Sequence, residues 1–394
     1  MFERKLVKQL EKRLSEKRHF IQIVIGPRQT GKTTAVTQAI KNVKTPNYYI
    51  SADDTLLASR EWLNNEWMQA RLLQKQINKD TILVVDEIQK IYDWSSLVKQ
   101  LWDEDTRNNI PLKVILTGSS ALLLQKGLSE SLMGRFEVLY SPHWNFKECK
   151  EAFRYNLDDF LFFGGYPGAA VLKDEEERWA RYIGTSIVEP TISQDVLMME
   201  EVRKPALLKS LFKLGSTYSA QELSYTKIVG QLQELGNTVT VAHYLELLEK
   251  ANVLCGLQKF SLNKIKVRQS SPRFMVFDTS LMTYSYGASR KRLIETPNMR
   301  WRLVESAVGA YLLARGKEEG FDVFWWRERE DEVDFVLQKS NKITAIEVKS
   351  GRLKRSGGVI QFKKLYPHSL NFTVGSANCG LEDFLLGKFN LFIP

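Results

Sequence analysis

Phe20-Ile21-Gln22-Ile23-Val24-Ile25-Gly26-Pro27-Arg28-Gln29-Thr30-Gly31-Lys32-Thr33-Thr34 is the stretch that decides the fold. Phe20 to Ile25 reads as a strand, a glycine-rich turn follows, and a helix begins near Lys32. Gly26 to Thr33 has the spacing of a complete Walker A loop, and it lies between a strand and a helix, the context that gives the motif its meaning. Glycines let backbone N–H groups turn inward onto phosphate oxygens, and the helix N-terminus adds partial positive charge. Gly26, Pro27, Arg28, Gln29, Thr30, Gly31, Lys32, Thr33 and Thr34 are therefore expected to hold ATP. Lys32 is expected to reach the β- and γ-phosphates, and the Thr33 hydroxyl to meet Mg²⁺.

Working outward, Ile82-Leu83-Val84-Val85-Asp86-Glu87 is the matching Walker B strand, ending in carboxylates where ligands of such sheets bind. Asp86 is expected to hold the Mg²⁺ through water, and Glu87 to orient and polarise the attacking water. Leu116-Thr117-Gly118-Ser119-Ser120 closes another strand with small polar groups. Thr117 or Ser119 fits a γ-phosphate sensor, and Ser119 or Ser120 fits a plain helix N-cap equally. Arg135 reads either as an arginine finger offered to a neighbour's nucleotide or as an ordinary surface arginine.

Leu6, Leu10 and Leu14 mark an amphipathic opening helix, and Trp94, Leu97, Val98, Leu101 and Trp102 mark one face of another. Asn47 to Ile50, Thr81 to Val85 and Leu112 to Leu116 read as strands between them. Alternating strands and helices predict an α/β domain with a parallel sheet covered on both faces, over residues 1–150.

Composition is that of a soluble globular chain, with 43% hydrophobic and 26% charged residues in 394, enough for two or three domains. Three widely spaced cysteines, Cys149, Cys255 and Cys379, form no disulfide framework or zinc-ligand spacing, so a reducing compartment is expected. The charged start lacks a signal-peptide core and no apolar run is long enough to span a bilayer, which points to the cytoplasm and away from membranes. The net charge of +10 suits either solubility or a polyanionic partner. Residues 251–300 hold nine Lys or Arg against Asp278 and Glu295, which favours a nucleic acid, DNA in particular.

Ala220 to Leu235 reads as a helix, Gly236-Asn237 as a turn, and Val241, Tyr244, Leu245 and Leu248 as the apolar face of a second helix beginning after Thr240. A basic hairpin over Leu257 to Val267 completes the outline of a winged helix, with Thr238, Thr240 and His243 facing outward. A helical lid on the ATPase is the competing reading of this 151–270 domain.

The last domain, 271–394, returns to mixed structure. A helix at Arg302 to Leu313 is followed by strands at Val323–Trp326, Glu332–Leu337 and Lys342–Lys349, a helix at Val359–Tyr366 and a strand at Asn371–Val374. Strand alternation sets Asp334 opposite Val333, Phe335 and Leu337, and puts Glu347 and Lys349 on one face. Two carboxylates on neighbouring strands can bind Mg²⁺ or Mn²⁺, Glu305 can add a contact, and Lys349 can activate a metal-bound water. A salt-bridged sheet edge explains the same residues without chemistry. Lys354, Arg355, Lys363 and Lys364 fit either the flanks of a DNA backbone or a solvated surface.

Gly26 to Thr34, Val85-Asp86-Glu87, Leu116 to Ser120 and Gly134-Arg135, with Gly164-Gly165-Tyr166-Pro167, Ser224-Tyr225-Thr226-Lys227 and Val333-Asp334-Phe335, resemble a prokaryotic family of AAA-type P-loop ATPases. That family carries a C-terminal domain long left without a function. The resemblance implies a strand inserted between the two Walker strands, and oligomers. Asp334, Glu347-Val348-Lys349 and Glu305 resemble the PD-(D/E)xK nuclease superfamily, with Val333 where the motif's name has proline. That resemblance implies a metal-dependent endonuclease, and its resolvase-like members imply branched DNA such as Holliday junctions in repair, recombination or defence. The alternatives are an ATP-dependent switch that binds DNA or a protein through an inactive nuclease fold, and a signalling ATPase whose middle domain contacts protein.

Overall fold

A strand covered on both sides must feed two apolar layers, and β1 (Ile21–Ile25) does so. Ile21, Ile23 and Ile25 join a core with the helices α3 (Arg60–Ile77) and α4 (Trp94–Arg107), while Val24 joins another with α1 (Lys5–Ser15) and α2 (Lys32–Val43). The strands β2 (Asn47–Ser51), β3 (Thr81–Asp86), β4 (Leu112–Thr117) and β5 (Phe136–Tyr140) complete a five-stranded sheet in the order β2-β3-β4-β1-β5. Every pairing is parallel, and β4 lies between the two Walker strands, as the family resemblance implies. Leu6, Leu10 and Leu14 of α1 are all buried.

This is a computed structural model; it describes residues 2–54, 58–118, 131–197, 202–232, 237–261, 271–349 and 357–393. Ser119, Ser120, Gly236, Lys264, Lys266, Arg268, Lys354 and Arg355 lie outside those residues. The chain divides into two compact units, Met1–Pro142 and His143–Pro394. Among the described residues no helix is long and apolar enough to cross a membrane.

The second unit opens with short helices, α5 (Phe146–Phe153), α6 (Leu157–Phe163) and α7 (Glu176–Tyr182), the first two closed by reciprocal caps at Asn145 and Asn156. The Gly164-Gly165 turn folds over Asp278. Gly164 has φ 69°, and an added Cβ would lie 1.9 Å from Asp278 Oδ1. Asp278 accepts from Gly165 N at 2.7 Å and Ser280 N at 3.0 Å.

α8 (Pro205–Thr217) is followed by a structural departure from the expected helix over Ala220 to Leu235. Ala220 to Leu223 run instead alongside β7 (Arg273–Val276): Ala220 N donates to Phe274 O at 2.8 Å, and Glu222 bridges Arg273. Their backbone groups are spent on that edge, so the helix starts only when Ser224 caps it, giving α9 (Tyr225–Gln231). α10 (Thr238–Lys250) begins at Thr238, three residues earlier than expected, because Asn237 is the cap and accepts from Thr240 N at 2.8 Å. The strand β6 (Leu254–Leu257) pairs antiparallel with β7. It is wholly buried, so the basic hairpin expected from Leu257 onward begins with an apolar strand. A boundary at residue 270 falls between these paired strands.

After α11 (Thr279–Tyr286) and α12 (Arg290–Glu295) comes the long α13 (Pro297–Glu319), which carries Glu305. Then β8 (Asp322–Glu328), β9 (Asp331–Lys339), β10 (Lys342–Val348), α14 (Gly357–Leu365) and β11 (Leu370–Val374) follow in the predicted order. The sheet runs β11-β10-β9-β8, antiparallel except for the β10–β11 pair. α15 (Leu381–Leu385) closes the chain.

Candidate nucleotide site and the distal acidic cluster

Parallel strands all end at one edge of the sheet, and that topology brings the loop after β1 to the ends of β3 and β4. Lys32, buried at 7% exposure, donates to the carbonyls of Gly26 at 3.1 Å and Pro27 at 2.6 Å. The Thr33 hydroxyl donates to Asp86 Oδ2 at 2.9 Å. Asp86 also accepts from Glu87 N at 3.0 Å, from the Thr117 hydroxyl, and from the Tyr49 hydroxyl at 2.7 Å. Four neutral donors thus converge on one carboxylate. Burial, then the bond to Asp86, pushes the Tyr49 phenol above its ordinary pKa. Thr117 is buried and bonded to Asp86, so as described it steadies that carboxylate.

Glu87 sits in a left-handed conformation, φ 54°, immediately past the end of β3, and its carboxylate accepts from Gln89. The loop itself is braced from outside the motif. The buried Arg4 donates to Thr30 O at 3.0 Å, Ser141 Oγ at 3.0 Å and Pro142 O at 3.1 Å. Gly31 has φ 83° and caps α2, and a Cβ there would project into open space beside the loop. That space, the adjacent helix N-terminus and a hydroxyl paired with a strand-end carboxylate fit a magnesium-bound triphosphate. Lys32, Thr33 and Asp86 are the residues that would hold it. Arg28, Gln29 and Thr34 lie on the same loop and first turn. Arg135 is engaged within its own unit, in a bidentate pair with Asp103 at 2.7 and 3.0 Å. To serve as a finger it would have to leave that partner.

Residues 18–150 match the family model described as an AAA domain. The first unit carries a P-loop AAA-type ATPase domain. Residues 154–292 and 302–392 each match a domain of unknown function. An uncharacterized protein of Methanocaldococcus jannaschii is 26% identical over 342 residues, spanning 82% of this chain and 73% of its own. The Walker-type ATPase of Pyrococcus abyssi superposes with a TM-score of 0.51 at 17% identity, covering 73% of this chain and 96% of that one. At that identity the likeness is one of fold. An AAA domain implies nucleotide binding, typically with Mg²⁺.

The second set of expected residues is brought together differently. Glu305 on α13 is fully buried, and Asp334 on β9 and Glu347 on β10 are nearly so. The β9–β10 register, carried one step past Ile346 and Phe335, puts Glu347 opposite Asp334. At the centre lies Arg273, which sequence reading assigned only to a basic run. Its guanidinium donates to Glu305 and to Glu332 at 2.8 Å, and lies 3.6 Å from Asp334. Asp334 also accepts from Val348 N at 2.8 Å. Burial alone would lower the Arg273 pKa; Glu305, Asp334 and Glu332 more than reverse this and hold it above the ordinary value. Among the described residues no group of three or more His, Cys, Asp or Glu is arranged to hold a metal ion. As described, the donor set does not fit the divalent cation expected of Glu305, Asp334 and Glu347: the Arg273 guanidinium stands among them, bonded to Glu305 and close to Asp334, and offsets one of their charges. Lys349 follows the end of β10, with its backbone N–H on Val374 O at 2.7 Å.

The basic run is also partly spent. Besides Arg273, Arg290 pairs with Asp159 at 2.6 Å and Arg300 with Asp158 at 2.7 Å. Lys363 donates to Ser369 O, closing the turn after α14.

Proposed function

We propose that the chain is an ATP-hydrolysing switch whose second unit binds DNA without cutting it. Bound ATP with Mg²⁺ supplies a phosphoanhydride bond whose hydrolysis can drive the switch. On the protein side, Lys32 and the loop amides bind the phosphates, Thr33 and Asp86 position the metal, and Glu87 accepts the proton of the attacking water. The order α8, α9, α10, β6, β7, with Glu222 bridging β7, supports a winged-helix reading, so the segments 1–150, 151–270 and 271–394 would be motor, reader and platform, with β7 added to the reader. In that reading α10 enters the major groove, and its exposed Thr238 and His243 face the bases.

The observation that carries the non-cutting part is Arg273. The order of elements, with Asp334 on β9, Glu347 on β10 and Lys349 just past its end, supports a PD-(D/E)xK-like reading, but an arginine stands among the acids. The test is incubation of the whole chain with ATP, Mg²⁺ or Mn²⁺, and linear, single-stranded and four-way DNA. Phosphate release, band shift and strand scission are followed together. DNA-stimulated hydrolysis with intact DNA supports the switch. Scission that disappears in Lys349→Ala would establish the second reading, a metal-dependent endonuclease, which the retained acid–acid–lysine set favours. Hydrolysis with no DNA binding at any salt concentration would move the partner to protein.

A further inference from the structure

The Ser224-Tyr225-Thr226-Lys227 motif is not used by either set of residues above, yet it borders an opening in the second unit. A cavity of about 440 Å³ is lined by Ser224, Lys227, Trp301, Trp325, Arg327 and Arg273. That volume lies within the range of ligand pockets, roughly 300–1,000 Å³. Its charges are unequal in availability. Arg273 is committed to the acids of the sheet, and Arg327 bridges Glu222 at 2.6 Å and Glu332. Lys227 is exposed, and among the described residues its ammonium has no ion-pair partner. The surplus positive charge of the cavity therefore belongs to Lys227. The lining is also aromatic: Trp301 is half-buried, and Trp325 is buried and anchored by its N–H on Leu257 O at 3.1 Å, with the Arg327 guanidinium 5.8 Å from its ring.

Resting on the DNA-binding reading, we propose that this cavity takes one unstacked nucleotide of a single strand, its base against Trp301 and its phosphate on Lys227. An ammonium without an ion-pair partner among the described residues and aromatic side chains lining the same cavity match the two halves of a nucleotide, and neither half requires a particular base. The site recognises a frayed or single-stranded region beside the duplex contacts of α10. Ser224 fixes the position of Lys227 by accepting from its backbone N–H at 3.3 Å.

The test uses the full chain with fluorescently labelled oligo(dT), duplex DNA and free dTMP at several salt concentrations. Removing one base stack costs on the order of 5- to 100-fold in affinity, so Trp301→Ala is expected to weaken oligo(dT) by that factor and leave duplex binding unchanged, with Trp301→Phe restoring most of it. Lys227→Gln is expected to reduce the salt dependence of oligo(dT) binding by about 0.7 in the log–log slope, one phosphate contact. Unchanged oligo(dT) affinity and slope in Trp301→Phe, Trp301→Ala and Lys227→Gln, while the parent binds, would overturn the site alone. A parent that binds no DNA in any form would overturn the DNA-binding reading and this site with it. Tight binding of dTMP that oligo(dT) does not displace would assign the cavity to a free nucleotide and overturn the strand proposal.

Discussion

The two acidic sites of the chain make opposite choices of counter-charge. Asp86 ends β3 and is held by hydroxyls and a backbone amide, all of them neutral. Glu305 and Asp334 gather around Arg273 and are held by a cation that belongs to the chain. A neutral hydroxyl can turn from a carboxylate toward a metal at little cost, since its other lone pair and proton stay usable. A buried arginine has nowhere else to put its charge. The first site is thus poised to exchange ligands, and the second already holds a cation of its own.

The contrast breaks most visibly at Arg273. Arg273→Met leaves Glu305 buried without its cation and is expected to destabilise the second unit by about 3–5 kcal/mol, read from urea melts. The double variant Arg273→Met with Glu305→Met is expected to recover only part of that loss: it removes the buried Glu305 charge, but Asp334 and Glu332 still lack the cation. If the single variant melts like the parent, the arginine is not the counter-charge. At the other site, Lys32→Ala is expected to leave the melt nearly unchanged and to cut ATP turnover by about 100- to 1,000-fold, the loss typical of one preorganised donor to developing charge. Normal turnover in that variant would remove the nucleotide assignment.

A third carboxylate sharpens the comparison. Asp278 has neutral donors like Asp86 but is wholly buried, and burial pushes its pKa up to about 6. A folded-state pKa above the unfolded value means this group's contribution is fully favourable below the unfolded pKa, near 4, and is lost as pH rises through about 6. Stability is therefore expected to increase by about 2–3 kcal/mol between pH 7 and pH 4 from this group, and Asp278→Asn is expected to flatten that part of the profile in urea melts. An identical profile in the variant would place the titration elsewhere. The smallest expected effect is at Tyr49. Tyr49→Phe removes one of several donors to Asp86 and is expected to change magnesium-dependent ATP affinity by about tenfold or less, by calorimetry.

Much of this was legible in sequence because it depends on local patterns. The loop from Gly26 to Thr34, the leucine spacing of α1 and the run of α13, β8, β9, β10, α14 and β11 follow from periodicity and spacing. What escaped depends on contacts between distant residues. Arg4 braces Thr30 and Ser141, Tyr49 reaches Asp86 from the neighbouring strand, and Arg273 reaches Glu305 across a helix and a sheet. Nothing in the neighbourhood of Arg273 in sequence distinguishes it from the other cations of the basic run. The misread helix at Ala220 has the same origin, since its apolar spacing suits a helix and only the edge of β7 competes for its backbone.

The order of strands in the first unit has a bearing on biosynthesis. β1 pairs with β4 and β5 and with no strand that follows it sooner. While the ribosome works from Ile25 to Tyr140, at about 5–20 residues per second, that segment waits on the order of ten seconds for its neighbours. The nascent chain therefore exposes an apolar strand throughout that interval, and the phosphate cradle is among the last features of its unit to take shape.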